Sequence, residues 1–233
     1  MRDPIADRLL DAALMHVPFD GWSETTFRAA VADIDMNMTV ARGLFPRGAV
    51  DLAVAYHRRG DAAMIARIEA TDLTGMRFRD KVIFAVRARL EAVSDREAVR
   101  RGTTLFALPL YAPDGAKLVW GTADAIWTAL GDTSQDFNWY SKRATLSAVY
   151  SATVLYWLGD DSLDNQATWG FLDRRIEDVM RFEKVKAGVA KNPVLAKLMA
   201  GPAKVLSRMQ APPADKGGLP GRWSTPTPPT GEP

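Results

Sequence analysis

The chain has no cysteine among its 233 residues and only two histidines, His16 and His57. Without cysteine there are no disulfides, no thiolate nucleophile and no cysteine-held metal. Neither histidine has a glutamate three residues before it, so the Glu-x-x-His ligand pairs of di-iron bundles are missing. His-Glu-x-x-His, a phosphate-binding Gly-Lys-Ser/Thr loop and Gly-x-Gly-x-x-Gly are also absent. Both histidines read as structural. No catalytic residue, metal ligand or cofactor is expected, and the chain reads as a binder rather than an enzyme.

Long apolar runs are missing as well. The N-terminal MRDPIADRLL carries Asp3 and Asp7 and lacks an apolar core, so it reads as neither a signal nor a transit peptide. The longest uncharged stretch of the central region, 144–159, holds 16 residues rich in Ser, Thr and Ala. A membrane helix needs about 20 apolar residues, so this stretch reads as a buried helix. No segment alternates Val, Ile and Thr between turn signals, which argues against a sheet.

Apolar residues instead recur at three and four, and the fold class is all-α. Ile5, Leu9, Leu10, Ala13, Leu14 and Val17 predict a first helix ending before Pro18. Ser23 is a candidate N-cap for a second, and a short third helix covers 39–45. Further helices are predicted from Ala49 past Met64, then over 78–93, 96–108, 116–130, 137–158 and 166–185. Residues 1–48 form one helical unit and 49–187 a larger one. Beyond Ala211 the chain is rich in Pro, Gly and Thr, so 211–233 is expected to be disordered.

The formal net charge of +2 is modest, but it is unevenly spread. Residues 184–209 carry six basic residues and no acid, leaving 24 basic against 28 acidic elsewhere. Within 188–210, Lys191, Lys197 and Lys204 flank apolar faces containing Leu195, Leu198 and Leu206. Basic amphipathic helices of this kind lie in the headgroup region of anionic membranes. These six residues are the candidate membrane contacts.

The N-terminal spacing, Ala12-Ala13-Leu14, Gly21-Trp22, Thr26 and then Phe45-Pro46-Arg47 with Leu52, resembles the helix-turn-helix of TetR-type regulators. A DNA reader needs donors for base edges and cations for phosphates. The segment MNMTVARGLF offers Asn37, Thr39 and a single Arg42, with Asp33 and Asp35 just before it. Affinity for DNA normally rests on several phosphate contacts. The unit therefore reads as a helix-turn-helix remnant, and no nucleic-acid partner is expected. A TetR-type repressor with a hydrophobic effector is the alternative.

The helix predicted from Phe137 is apolar nearly all round, which calls for other helices around it. Its opening, DFNWY, places Trp139, Tyr140 and Arg143 together, the composition of an interaction hot spot. DFNWY with its basic pair and TWGFLDRRIEDVM (168–180) closely resemble the ubiquinone-biosynthesis accessory protein family, coenzyme-Q protein nine. PFDGW (18–22), LFALP (105–109) and Ala125-Ile126-Trp127 with Gly131-Asp132 extend the resemblance over roughly 7–180. Ile126 and Lys142 are mild departures from a Met and an Arg in a relative.

The resemblance implies a TetR-like fold that dimerises, does not regulate transcription and holds an isoprenoid lipid or quinone in an apolar cavity. It implies assistance to the demethoxyubiquinone hydroxylase, with a partner patch at Asp124, Ile126, Asp136, Trp139, Tyr140 and Arg143. Candidate cavity liners are Leu105, Phe106, Leu108, Leu110, Trp120, Trp127, Leu146, Tyr150 and Val154. A cytoplasmic protein peripherally attached to the inner membrane is the expected setting.

Overall fold

The computed structural model describes residues 3–190, with side chains described as far as Arg181. Every regular element among them is helical. The elements are α1 (Pro4–Asp20), α2 (Glu24–Asp33), α3 (Met38–Leu44), α4 (Ala49–Glu69), α5 (Phe78–Glu91), α6 (Arg96–Ala107), α7 (Ala112–Ala129), α8 (Phe137–Leu158) and α9 (Gln166–Ala190). A 3-10 turn at Leu163–Asn165 precedes α9. The tail 211–233 and the six candidate membrane contacts, Lys191, Leu195, Lys197, Leu198, Lys204 and Leu206, lie outside the described residues.

The helix starts follow from local chemistry. Ser23 Oγ accepts from Thr26 N at 3.2 Å, Asp95 Oδ1 from Glu97 N at 2.8 Å, and Asp136 Oδ1 from Asn138 N at 2.9 Å. Each satisfies a backbone donor left over at a helix N-terminus. Most boundaries fall within two residues of the sequence pattern. α9 runs five residues past its predicted end to Ala190, and two others differ for reasons of proline placement. α1 continues through Pro18 to Asp20, where the Gly21 N–H closes the helix on Val17 O. Pro18 sits in the last turn, where its missing N–H leaves the Leu14 carbonyl without one helix hydrogen bond and only Phe19 and Asp20 follow. α7 begins at Ala112, four residues before the predicted start, because Pro113 sits in its first positions and Asp114 in its first turn.

Two cores share one chain. Leu9, Leu10, Ala13, Val17, Phe27, Ala30, Ala41 and Leu52 bind α1–α3 onto α4. Met64, Val86, Ile126, Leu146, Trp157 and Leu172 join α4, α5, α7, α8 and α9. Trp22 ties α4 and α6 into the first core: its ring stands 5.8 Å from that of Tyr56, and its Nε1 donates to Ala98 O at 3.0 Å.

α8 is less enclosed than its composition suggests. Leu146, Tyr150, Thr153 and Trp157 are buried, but Leu155 and Tyr156 are exposed. Its substantial packing is against α7 on one side and α9 on the other. Tyr156 lies flat on Phe171 of α9, with ring centroids 4.5 Å apart.

Candidate functional site: a cavity and an aromatic corner

Between α4, α6, α7 and α8 lies a cavity of about 590 Å³. That is the size of a site for a small organic ligand. Small residues leave the space. Ala53, Gly60 and Ala63 of α4, Gly102 of α6, and Gly115 and Ala116 of α7 all line it. A Cβ on Gly115 would stand 2.8 Å from Cβ of Phe106, so α6 and α7 could not approach as they do. Val99, Phe106, Val119 and Val154 supply apolar wall, and the exposed Ala107, Ala112 and Leu155 mark where it meets the surface.

Of the expected liners, Phe106, Tyr150 and Val154 face this cavity. The others do not. Leu108 and Leu110 are 50% and 75% exposed on the turn between α6 and α7, because Leu108 ends α6 and its backbone turns outward there. Leu105 packs against the N-terminal core, and Leu146 is buried between helices of the second. Trp120 and Trp127 point to the other end of α7, described below. Liners that the spacing did not single out include Val99 and Val119. α6 could have indicated Val99: its apolar face is sharply segregated, yet Ala98 is its one buried residue. A face that apolar and that open borders a hollow.

The cavity also has a polar side. Arg89 is almost fully buried; its Nε donates to Asp61 Oδ1 at 2.6 Å and its Nη2 to His57 O at 3.0 Å. Gly60 makes room for it, since a Cβ there would come within 2.5 Å of Arg89 Nη1. His57 Nε2 stands 2.8 Å from Thr122 Oγ1, and Thr122 donates to Asp61 Oδ1 at 2.9 Å. Burial pushes the His57 imidazolium down to about 4, against the pull of Asp61, so the ring is neutral near pH 7.

A second feature lies where α7 meets the start of α8. Trp139 and Tyr140 meet edge-on at 4.8 Å, and Trp120 stands 6.0 Å and 6.5 Å from them. All three are half-buried. Behind them Arg143 lies over Trp139, 4.0 Å from its ring centroid. Its Nε donates to Asp124 Oδ1 at 2.5 Å and its Nη1 to Asp132 Oδ2 at 3.0 Å. Burial alone would raise the Asp132 pKa; hydrogen bonds from Lys142, Ser134 and Arg143 outweigh it and lower it to about 2.

Two members of the expected partner patch are therefore not surface groups. Arg143 is 2% exposed because its cation is enclosed by two carboxylates and an indole. Ile126 is fully buried in the core between α7 and its neighbours. Both can support the corner only from behind. Asp136 is exposed and caps α8, and Asp124 is partly exposed. Trp127 stacks on Phe78 at 5.4 Å and donates from Nε1 to Lys142 O at 3.2 Å, bracing the same junction.

At the helix-turn-helix, the few cations are engaged. Arg42 pairs with Glu24 and lies 4.5 Å over the Phe27 ring. Arg28 pairs with the same Glu24 at 3.0 Å, and Asn37 is occupied in capping α3.

Residues 112–183, which hold α7, α8 and most of α9, match the COQ9 family. Ubiquinone biosynthesis protein COQ9, mitochondrial, of Drosophila melanogaster is 32% identical over 186 residues, 78% of this chain and 57% of that protein. The chain is thus similar to COQ9-family proteins, with a family match confined to 112–183. The Homo sapiens COQ9 protein is 27% identical over 189 residues, covering 76% of this chain and 58% of its own length. COQ9-A of Xenopus laevis is 27% identical over 219 residues, 89% of the chain and 68% of the relative. The chain thus spans a little over half the length of the Drosophila and human proteins. The aromatic corner falls wholly within the COQ9-matched region, and the cavity partly so. Among solved structures, a TetR transcriptional regulator from Nitrosomonas europaea superimposes with a TM-score of 0.63 at 19% identity, covering 75% of this chain and 97% of that one. The chain has a TetR-like fold. None of its described helices is long and apolar enough to cross a membrane.

Proposed function

We propose that the chain is a non-enzymatic accessory protein of ubiquinone biosynthesis that binds an isoprenoid quinone intermediate and presents it to the demethoxyubiquinone hydroxylase. The observation that carries this reading is the apolar cavity of about 590 Å³ inside a chain similar to COQ9-family proteins. A polyprenyl tail is nearly insoluble, and each buried methylene contributes about 0.8 kcal/mol, so a few prenyl units suffice for retention. The mouth at Ala107, Ala112 and Leu155 gives the tail a way in. The basic segment at 188–210 would hold the protein against an anionic membrane where such lipids reside, peripherally on the inner membrane. The corner of Trp120, Trp139 and Tyr140 is the surface for the hydroxylase: half-buried aromatics, held rigid from behind, make effective anchors. A homodimer is part of the same reading.

A TetR-type repressor is the other reading for this fold, but the pairing of Arg42 and Arg28 with Glu24 leaves little free positive charge for phosphates. Mass spectrometry of lipid extracted from the purified protein is the test. A co-purifying prenylated quinone or related isoprenoid, lost when Val99 is changed to Trp to fill the cavity, is expected. A protein that is free of lipid and takes up none from vesicles would refute the proposal.

A further inference from the structure

The polar side of the cavity is unusual for a pure hydrocarbon carrier. A buried ion pair is seldom favourable to stability, because desolvation offsets most of the attraction. The Asp61–Arg89 pair is nevertheless set into the wall of an otherwise apolar hollow, and α4 gives up a side chain at Gly60 to admit it. We infer that His57, Arg89 and Tyr150 form a seat for the oxygen-bearing ring of an uncharged amphipathic ligand, its tail running along Val99, Phe106 and Val154. This rests on the lipid-carrier reading above and adds which end of the ligand goes where, and what head the site selects.

The chemistry of the three groups defines the head. All line the cavity. Asp61 is the strongest acceptor near Thr122, and the hydroxyl has one proton to give it. With that proton spent on Asp61, Thr122 Oγ1 accepts from His57 Nε2, 2.8 Å away. A guanidinium has more donors than the two that Arg89 spends on Asp61 and the His57 carbonyl. The Tyr150 hydroxyl, held close to Thr122, can donate or accept, and burial keeps it protonated. The seat thus offers donors and an acceptor side by side. That fits a ring carrying carbonyl or hydroxyl oxygens, in either the quinone or the quinol form.

The charge count favours a neutral head over a phosphate. Asp61 cancels Arg89, and His57 is uncharged near neutral pH. At the cavity's rim, Arg59 is paired with Asp11. An anionic headgroup would have to displace a carboxylate already bound to the guanidinium, in a poorly hydrated site. A neutral ring needs only the spare hydrogen bonds.

The experiment is isothermal titration of the full chain with three probes that share one tail: hexyl-benzoquinone, hexylbenzene and hexyl phosphate. The wild type should bind the quinone at least about tenfold more tightly than hexylbenzene, the scale of one or two net hydrogen bonds. Tyr150→Phe should lower that ratio about threefold or more. The double change Arg89→Met with Asp61→Leu removes the pair without orphaning either charge, and should bring the ratio close to one while hexylbenzene binding persists. If the double variant does not fold, Tyr150→Phe alone carries the test. A ratio unchanged by these substitutions, or a wild type that prefers hexyl phosphate, overturns the seat but leaves the cavity reading standing. Failure of the wild type to bind any of the three removes both.

Discussion

Arg143→Met is the most informative single change at the α7–α8 junction. The wild-type guanidinium is enclosed and engages Asp124 at 2.5 Å, Asp132 at 3.0 Å and the Trp139 carbonyl at 3.2 Å, besides lying over the indole. Methionine keeps the packing volume but deletes all three hydrogen bonds. Removing one partner of a buried pair costs about 3–5 kcal/mol, because the remaining charge stays desolvated. Two features move the value to the lower end. Asp132 retains Lys142 at 2.8 Å and Ser134 at 2.8 Å, and Asp124 is 32% exposed and can be hydrated. The expected loss is about 3 kcal/mol, a drop in Tm of roughly 6–12 °C for a domain of this size. Urea denaturation followed by circular dichroism measures the first, and a thermal scan the second. Arg143→Lys should recover only part of the loss, since an ammonium cannot reproduce the fork. A Met variant within about 1 kcal/mol of wild type would refute the idea that this cation holds the aromatic corner in place.

Three further outcomes are expected. Trp139→Ala should leave the helical fold stable to within about 1 kcal/mol but weaken association with the hydroxylase by about 2 kcal/mol, roughly 30-fold in Kd by surface plasmon resonance; unchanged affinity would show that the corner is not the docking surface. Because the folded-state pKa of His57 falls from 6.5 to about 4, the unfolded chain binds the extra proton between those values. Stability should therefore fall by about 3 kcal/mol as the pH drops through that window, and His57→Gln should flatten the profile there; carboxylates such as Asp132, lowered to about 2, act below it. Deleting 191–233 should reduce flotation with anionic vesicles while sparing retained lipid, and equal flotation of both forms would contradict membrane contact through the basic segment.

What the sequence could and could not convey follows from the range of the interactions. Caps at Ser23, Asp95 and Asp136 depend on residues two or three positions away, so helix starts are legible from a short window. The stretch Ala112-Pro113-Asp114-Gly115 is ambiguous: it has the composition of a turn, but Pro and Asp in those positions equally open a helix. The cavity is harder still. An apolar face lining a hollow and one packed in a core have the same periodicity, so Leu146 and Val154 look alike in sequence although one is core and the other wall. Arg143 next to two aromatics read as part of an exposed patch. Its burial depends on Asp124 and Asp132, 19 and 11 residues away, which only the α7–α8 packing brings to it. Asp61 and Arg89 are likewise 28 residues apart, and the Gly60 that admits the pair looks like an ordinary helix glycine until Arg89 is seen lying on it.

Photo-crosslinking tests the central claim most directly. A prenylated benzoquinone bearing a diazirine on its tail is incubated with the full chain, irradiated, and the adducts mapped by peptide mass spectrometry. Adducts on the α6 and α8 peptides that contain Val99, Phe106 and Val154, competed by unlabelled quinone, are predicted by this account. Labelling confined to exposed apolar residues such as Met15 and Phe19, and insensitive to competitor, would contradict it.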